Sequence, residues 1–285
     1  MSKRYARTIE EVQNWIDRGD GQGEGSDYRP FLYVRDVPSE GRSAIDRGLK
    51  SGRSHHYLSD VEYGYFLLAE YAKHVRSIRE QYALLPWAET QEIARLLGID
   101  HPLYRPSRVP RVMTSDLVLT MQPNVSPAYF VISCKVSSDL DPANPKAHRT
   151  GELLRLEKTY WSRRPVRWIL GTDTALPKNK VFNLDFFRQT MQSQECDRLN
   201  ELLPTFVSLT ERIWSADRTM NDLLFELSRR LRLEVIETFT LLGRAVWLRR
   251  LPVDLDATTL GHEKPIPLVS TRSASTMEGE LFCSA

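Results

Sequence analysis

The chain has 285 residues, of which 41% are hydrophobic and 27% charged, and its net charge is +2. This composition is that of an ordinary globular protein, and the length allows a substantial core, arranged in two domains of modest size. The near-neutral charge is only a weak argument about partners, and no apolar run approaches the roughly 20 residues that span a bilayer.

The three cysteines, Cys134, Cys196 and Cys283, are widely separated and form no CxxC pair. This spacing argues against a structural zinc ribbon and fits a reducing cytoplasm. The first residues, MSKRYARTIEEVQNW, lack an apolar segment of the secretory type, so we expect no signal peptide and a cytoplasmic protein. Arginine gathers in four strips, RSIRE, YRPSRVPR, YWSRRPVR and SRRLR, which can bind phosphates, although a solvated face is the commoner explanation.

Few regular elements are predicted before residue 59. The pattern indicates an amphipathic helix over residues 1–17, a flexible glycine-rich loop, a short strand in FLYVRDVP (31–38) and a polar connector over 39–58. The glycines do not make a phosphate-binding loop, because no strand precedes them and no Gly-Lys-Ser/Thr closes them.

Residues 59–72, SDVEYGYFLLAEYA, predict a helix in which Ser59 is the N-cap and Glu62 completes a capping box. Further elements follow up to residue 175: a strand in HVRSIREQYALLP (74–86), a helix in AETQEIARLLG (88–98), a hairpin in RVMTSDLVLTMQPNVSPAYFVISCK (111–135), a helix in HRTGELLRLEKTYWSRR (148–164) and a buried strand in VRWILGT (166–172). This order predicts an α/β domain over residues 1–175 that is built around a mixed sheet.

The rest of the chain has a different composition. Helices are predicted at 183–193, 197–214 and 219–231, followed by a short helix that ends at Gly243 and a strand in RAVWLRRLPV (244–253). Two short helices followed by a strand are typical of a winged-helix-like domain, here residues 176–255, which can bind DNA or dock a protein. Residues 256–285 are expected to be a flexible tail.

Three charged residues in the N-terminal domain can converge. The hairpin joins Asp116 to Lys135, and the helix that begins near Glu62 can pack its first turn against the same end of the sheet. Two converging carboxylates repel unless a cation lies between them, and Mg²⁺ prefers such oxygen ligands. With a lysine nearby, the set suits phosphodiester hydrolysis. Spacing alone also allows simpler roles: Glu62 as half of a capping box, Asp116 as a strand-end residue and Lys135 as the point where a strand leaves the core.

The sequence resembles the restriction-endonuclease-like nucleases, whose pattern is an aspartate, a variable hairpin and an acid-x-Lys motif. A more specific resemblance lies in the segments HHYLSDVEYGYFLLAEY, IREQYALLP, HPLYR, MTSDLVL and LEKTYWSRRPVRWILGTD. Together they are similar to the TnsA family, the endonuclease subunits of Tn-seven-like transposons, including CRISPR-associated ones. The resemblance covers roughly residues 8–175 and extends more loosely over the C-terminal region.

That resemblance implies a set of site residues. Glu62, Asp116 and Lys135 take the catalytic positions, with Mg²⁺ as the cofactor and Mn²⁺ able to substitute. The position two before the lysine is usually polar in the family and is Ser133 here. The backbone carbonyl of Cys134 is a candidate third metal ligand, and Glu157 a candidate accessory acid.

Five further residues are candidate DNA contacts: Arg163, Arg164, Arg167, His55 and His56. For the arginines a solvated helix end is the alternative. The histidines are candidate metal ligands or phosphate contacts, and the alternative is a solvent-facing or hydrogen-bonded pair.

The function implied is Mg²⁺-dependent cleavage of the 5′ strands at transposon ends. The implied partners are double-stranded DNA, a TnsB-like DDE transposase and a TnsC-like ATPase, on the bacterial nucleoid when assembled. The two alternatives are a docking subunit with an idle nuclease site and a stand-alone restriction enzyme.

Overall fold

A computed structural model describes residues 4–37, 43–123, 125, 128–192 and 196–269 of the chain, with the side chains of 196 and 197 left out. The chain divides into two compact units, Met1–Leu176 and Pro177–Ala285. Among the described helices, none combines the length and apolarity that a bilayer crossing requires.

The N-terminal unit is a mixed α/β structure. Its elements in chain order are α1 (Ile9–Asp17), β1 (Ala44–Arg47), β2 (Ser54–Tyr57), α2 (Asp60–Tyr71), β3 (Val75–Ala83), α3 (Trp87–Leu97), β4 (Thr114–Met121), β5 (Tyr129–Lys135), α4 (Ala147–Ser162) and β6 (Arg167–Thr172). The main sheet has the order β3-β4-β5-β6. The first two pairings are antiparallel, whereas β5 and β6 are parallel and are joined by a crossover through α4. The predicted mixed sheet is therefore confirmed.

Helix α2 is buried along most of its length, because it lies against the main sheet and contacts β2 as well. Its Tyr65 packs over Gly171 of β6 so closely that a Cβ at Gly171 would lie 2.6 Å from the tyrosine ring. The glycine thus allows α2 to approach the sheet. Phe66 of the same helix packs against Tyr57 of β2, with ring centroids 4.6 Å apart. Both contacts fix the start of α2 near the ends of β4 and β5.

A second core lies where α3 and α4 meet the sheet. It contains the buried apolar residues Leu84, Ile93, Ala94, Val118, Val131, Leu156, Tyr160 and Trp161. The apolar residues of the two helices therefore face this core, as the 3.6-residue period of a helix requires.

Two predictions for the early part of the chain are wrong. Residues 31–37 form no strand but contain a single 3₁₀ turn, Val34–Asp36, and residue 38 lies outside the described residues. The segment 43–58 is not a mere connector, because it forms the antiparallel hairpin of β1 and β2. The sequence pattern did not predict these strands because they are rich in polar residues. SHHY in β2 shows no alternation of apolar residues, yet His55 and Tyr57 are buried.

The C-terminal unit is helical in its described part, as predicted. It contains α5 (Lys178–Arg188), α6 (Cys196–Ile213), α7 (Met220–Leu231) and α8 (Val235–Trp247). Helix α8 contacts the other three helices, and its residues 238–247 are all buried. It is the central helix of this unit.

The predicted strand at 244–253 and the helix end at Gly243 are both wrong, because α8 continues to Trp247. Gly243 serves a packing role instead: a Cβ there would lie 2.3 Å from the Thr190 hydroxyl. In the described part, residues after 247 form only isolated bridges, including Val253 with Leu268. The strand that would complete a winged helix is thus missing from this part of the chain.

The predicted tail is also partly wrong. Leu260 and Ile266 are buried, and the Asn183 side chain accepts a bond from the Leu260 N–H at 2.7 Å. Residues 256–269 therefore pack onto their own unit, because these apolar side chains have a core to enter. The predicted tail from 270 to 285 lies outside the described residues.

Candidate active site

The main sheet is irregular where β3, β4 and β5 approach the start of α2. Pairing of β3 with β4 joins Glu80 to Leu117 and Tyr82 to Ser115, but Gln81 and Asp116 are not paired. Gln81 has a φ of 48°, in the left-handed region that residues other than glycine rarely adopt. This backbone breaks the alternation of the strand and turns the side chain of Gln81 toward α2.

Asp116 lies beyond the last backbone pair of β4 and β5, Leu117 with Ile132. There its Oδ2 atom accepts a bond from the Cys134 N–H at 2.6 Å, in place of a ladder bond. The same oxygen lies 3.5 Å from Nζ of Lys135, which also donates to the Cys134 carbonyl at 2.7 Å. The hairpin thus brings the predicted aspartate and lysine together, with the lysine one-third exposed.

Glu62 lies in the first turn of α2 and is buried. Ser59 caps the helix by accepting the Glu62 N–H at 3.2 Å, and its hydroxyl donates to Oε1 at 3.0 Å. Oε2 accepts bonds from the Leu58 N–H and from the Gln81 side-chain amide, each at 3.1 Å. The capping role is therefore real, but the carboxylate of Glu62 also faces the site.

The pKa values of Glu62 and Lys135 both depend on neighbouring charges in the site. Burial, and then the nearby charge of Asp116, raise the pKa of Glu62 to about 8, although bonds from Leu58 and Ser59 and the charge of Lys135 oppose the rise. The charge of Asp116 raises the pKa of Lys135, so the lysine is a cation at neutral pH. Lys135 is the cation that these two carboxyl groups share, so their combined negative charge favours binding of a second cation.

Glu157 of α4 belongs to a buried polar cluster beside this site. Its Oε1 accepts bonds from the hydroxyls of Ser115 and Ser133. Trp161 donates to the Ser115 hydroxyl at 2.8 Å, and Trp168 donates to that of Ser133 at 3.0 Å. Burial, and then the charge of Asp116, raise the pKa of Glu157 to about 7. Glu157 is thus close enough for the charge of Asp116 to affect its pKa, but its carboxylate is bonded to Ser115 and Ser133.

This cluster decides the place of Ser133, because its hydroxyl is occupied by Glu157 and Trp168. The structure therefore gives no support to a Ser133 hydroxyl aimed at a metal beside Asp116. The Cys134 carbonyl does lie at the site, where it accepts the Lys135 ammonium. Burial raises the pKa of the Cys134 thiol, which favours its neutral form.

The histidines are not brought to the site. His55 is buried in β2, where Nδ1 lies 2.8 Å from Glu80 and Nε2 lies 2.7 Å from the Ser51 hydroxyl. His56 packs its ring edge-on against Tyr33, and burial lowers its pKa. The hydrogen-bonded alternative therefore describes His55, whose two ring nitrogens both have partners inside the protein.

The arginines proposed as DNA contacts are also placed elsewhere. Arg163 and Arg164 end α4, and both pair with Glu89, at 3.3 Å and 2.6 Å respectively. Arg167 pairs in register with Phe130, whereas Lys135 pairs with Thr172 at the other end of the same two strands. Five residues of strand put Arg167 about 16 Å from the lysine. In this structure these arginines contact other protein groups, and they lie away from Glu62 and Asp116.

Sequence reasoning missed Gln81, whose amide donates to Glu62 and whose carbonyl accepts the Thr114 hydroxyl at 3.2 Å. A signal was present: Arg79, Glu80 and Gln81 are three successive polar residues in the middle of a core strand. A half-buried strand would alternate instead. Glu80 was missed for the same reason, and it anchors a separate network with Arg53 and His55.

The donor set fits a magnesium ion better than a metal that needs a full protein cage. The described part of the chain contains no group of three or more His, Cys, Asp or Glu that could hold a metal. The site offers two carboxylates, Glu62 and Asp116, and the Cys134 carbonyl. Mg²⁺ typically takes one or two carboxylates and completes its shell with waters and phosphate oxygens.

Comparisons with known proteins agree with this geometry. A mixed sheet with a carboxylate and a lysine at the end of its central hairpin defines the restriction-endonuclease-like class. Residues 72–173 match the family model of the TnsA-like endonuclease N-terminal domain, a span that includes Asp116 and Lys135. The chain is 39% identical over 166 residues to the Tn7 transposition protein TnsA of Escherichia coli. That alignment covers 58% of this chain and 58% of the relative. Over these residues the chain is similar to TnsA-like endonucleases.

Proposed function

We propose that this protein is a metal-dependent DNA endonuclease that cuts the 5′ strands at transposon ends. The observation that carries the proposal is the meeting of Glu62, Asp116 and Lys135 at one end of the sheet, inside a unit similar to TnsA-like endonucleases. Transposition as the setting rests on the similarity to the Escherichia coli protein, whose name describes that role.

Glu62 and Asp116 are the residues that would hold the ion. The Gln81 amide and the Leu58 N–H orient the carboxylate of Glu62, and the Cys134 N–H orients that of Asp116. When bound, Mg²⁺ would polarise the scissile phosphate and lower the pKa of an attacking water. The two carboxylates therefore act by position, since both are already held before substrate arrives.

Lys135 supplies the fixed positive charge. Its ammonium lies beside Asp116 and is partly exposed, so it can reach a phosphate oxygen or hydrogen-bond a water. In either position it offsets the negative charge that grows as the phosphodiester is attacked. The arrangement needs no nucleophile from the protein, which suits hydrolysis by water.

Glu157 supports the site through the strands that carry Asp116 and Lys135. Its bonds to Ser115 and Ser133 tie α4 to the two strands that carry Asp116 and Lys135. It serves as a positioning residue that keeps the ends of β4 and β5 in place. Duplex DNA is the substrate in this proposal, and a TnsB-like transposase and a TnsC-like ATPase are the partners.

The test is strand-specific cleavage of an end-labelled transposon-end duplex in Mg²⁺. Four reactions are compared: the chain alone, the cognate transposase alone, both proteins, and the transposase with Asp116→Ala. A matched control is Asp173→Ala, which removes a partly exposed aspartate whose carboxylate accepts the Ser137 N–H.

We expect 5′-strand cuts only when the intact chain and the transposase are both present. Asp116→Ala should remove these cuts and leave the transposase's 3′ cuts, and Asp173→Ala should keep both. Unchanged 5′ cuts with Asp116→Ala would refute the site. Specific cleavage by the chain alone would instead support a stand-alone restriction enzyme.

A further inference from the structure

The segment between α3 and β4 forms an ordered loop that presents three arginines. Arg105, Arg108 and Arg111 are all exposed in this loop, named the arginine loop (residues 104–112). Within the described part of the chain none of them makes an ion pair, although Arg111 lies over the ring of Tyr104 at 5.5 Å. Exposed guanidinium groups without carboxylate partners are available for anions.

The backbone of the arginine loop is held from both sides. The Tyr104 N–H donates to the Val109 carbonyl across the loop at 2.8 Å, and the Arg108 N–H donates to the Tyr104 carbonyl at 2.8 Å. The Ser107 hydroxyl donates to the Ala6 carbonyl at 2.7 Å. These bonds hold Arg108 at a φ of 59°, so its side chain leaves the loop in a fixed direction.

Apolar side chains anchor the same loop to the core. Tyr104, Val109 and Val112 are buried against Phe31 and Ala83. The arginines therefore project from a rigid base and lose little backbone entropy when they bind a ligand.

The arginine loop leads directly into the candidate site. Arg111 lies five positions before Asp116, so the chain holds the two within about 17 Å even when it is fully extended. The Leu84 N–H donates to the Met113 carbonyl at 2.9 Å, which ties the end of the loop to the end of β3 that carries Gln81. The loop and the carboxylates therefore lie at the same end of the sheet.

We propose that the arginine loop binds the phosphate backbone of duplex DNA and holds it beside Glu62 and Asp116. This inference rests on the proposed function for its substrate, and it deepens that function by naming the contact surface. About 17 Å corresponds to roughly five base pairs of duplex, so the contacts fall on phosphates flanking the cut. Such contacts position the duplex without reading its sequence, and sequence choice falls to a partner.

The arginine loop differs from the strip at Arg163 and Arg164 in the way its charge is used. Those two arginines are neutralised by Glu89, and Arg164 stacks on Tyr160 at 3.7 Å. A phosphate would have to compete with an existing carboxylate there. At the arginine loop no carboxylate has to be displaced, so binding gains the full charge interaction.

The test is binding of the full chain to a fluorescent 30-base-pair duplex in EDTA, measured by anisotropy over a series of salt concentrations. The variant carries Arg105→Ala, Arg108→Ala and Arg111→Ala together. The matched control carries Arg76→Ala, Arg95→Ala and Arg155→Ala, three exposed arginines in β3, α3 and α4 that also make no ion pair in the described part of the chain. Both variants lose the same charge, and melting temperatures check that each is folded.

We expect the slope of log K against log salt to become shallower by about 2 to 3 for the loop variant, since each phosphate contact contributes about 0.9. Affinity at about 0.1 M salt should fall at least 10-fold, equally on transposon-end and scrambled duplexes. The control should keep most of both. Equal losses in the two variants, an unchanged loop variant, or no duplex binding by the wild type at low salt would each overturn the proposal.

The outcome is separable from that of the proposed function, because EDTA removes cleavage from the binding experiment. Loss of binding in the loop variant, together with 5′ cuts that persist in Asp116→Ala, would keep the DNA surface and reject the nuclease site. Intact binding in the loop variant, together with loss of cuts in Asp116→Ala, would do the reverse.

Discussion

Two buried glutamates in the N-terminal unit, Glu62 on α2 and Glu80 on β3, have opposite electrostatic environments. Glu80 accepts a two-pronged bond from Arg53, at 2.7 and 2.5 Å, and a third from His55. Burial raises its pKa, but these bonds outweigh the burial and lower the pKa to about 2. Glu62 has only neutral donors and a neighbouring carboxylate, and its pKa rises to about 8.

The difference distinguishes a carboxylate whose charge the protein balances, Glu80, from one whose charge it leaves largely unbalanced, Glu62. At Glu80 the protein supplies the compensating cation, so the charge is satisfied when folding is complete. At Glu62 the protein supplies orientation without a full compensating charge, and in the proposed function a bound cation supplies the rest. The pKa of a buried carboxyl group is therefore shifted in both directions within one unit, downward where an arginine is its partner and upward where another carboxylate is its neighbour.

Removal of the Glu80 charge is expected to have the largest effect on stability. Glu80→Gln leaves the buried Arg53 guanidinium without a charged partner, and we expect a loss of about 3–5 kcal/mol in the free energy of unfolding. Urea denaturation followed by circular dichroism measures this loss. Glu89→Gln, which breaks the partly exposed pairs with Arg163 and Arg164, is the control and should cost under about 1 kcal/mol. Equal costs would break the comparison.

The same network predicts a pH window. Because the pKa of Glu80 is lower in the folded state, its contribution to stability is present above about pH 4.5 and is lost as the pH falls toward 2. Glu80→Gln should therefore show a smaller loss of stability over this window than the wild type. A parallel pH dependence in the two proteins would contradict the assignment.

Glu62→Gln is expected to act in the opposite direction. The raised pKa of Glu62 means that the metal-free protein loses stability as the pH rises from about 4.5 to 8, because a buried carboxyl must be kept protonated or become an uncompensated anion. Without metal, Glu62→Gln should be more stable than the wild type at pH 8, by an amount on the order of a few kcal/mol. A difference that does not grow with pH would count against this account.

Gln81→Leu is expected to have a smaller effect that is confined to activity. The substitution removes the amide that orients Glu62 while keeping the side-chain volume, so cleavage should slow by about 10- to 100-fold and require more Mg²⁺. Cleavage rates at several Mg²⁺ concentrations measure both effects. Thr114→Val removes the bond to the other end of the Gln81 amide and should change the rate less. A wild-type rate in Gln81→Leu would show that Glu62 needs no such support.

Arg164→Ala is expected to have the smallest effect. Arg164 is paired with Glu89 and stacked on Tyr160, so the substitution should cost under about 1 kcal/mol of stability and leave duplex binding unchanged. Anisotropy and thermal denaturation test both statements. A large loss of DNA affinity would restore the strip at Arg163 and Arg164 as the contact surface.

The fold of the N-terminal unit was predictable where side-chain periodicity and capping agree. The SDVE capping box located α2, and the alternating apolar residues of the hairpin located β4 and β5. The hairpin β1–β2 was not predictable, because its buried residues include His55, which enters the core only through a bond to Glu80 far along the chain. Pairings of this kind depend on tertiary contacts that a local pattern does not contain.

The site was predictable in part. The pairing of Asp116 with Lys135 follows from hairpin connectivity, and the resemblance to TnsA-like endonucleases selected Glu62 from among many acidic residues. Gln81 could not be derived, because its role depends on a left-handed backbone in the middle of a strand. The DNA contacts at Arg163 and Arg164 stay predictions, and the sequence did not reveal that both arginines pair with Glu89.

In the C-terminal unit the helices were predictable and the winged helix was not. The alternation in RAVWLRRLPV resembles a strand, but its first four residues belong to α8, which continues to Trp247 and is buried among three other helices at residues 238–247. Over residues 244–247 every residue is buried, so the local pattern of apolar residues does not distinguish the end of this helix from the start of a strand. Since α8 is the central helix of its unit, it cannot enter a DNA groove as a recognition helix would.

The most direct test of the central claim is calorimetric titration of Mg²⁺ into the full chain at pH 6, 7 and 8. The account predicts binding that tightens as the pH rises, because the proton on Glu62 competes with the ion, and loss of that binding in both Glu62→Gln and Asp116→Asn. Glu152→Gln, which changes a partly exposed acid of α4, should bind as the wild type does. Mg²⁺ binding that is unaffected by Glu62→Gln and Asp116→Asn, or no binding at any pH, would contradict the account.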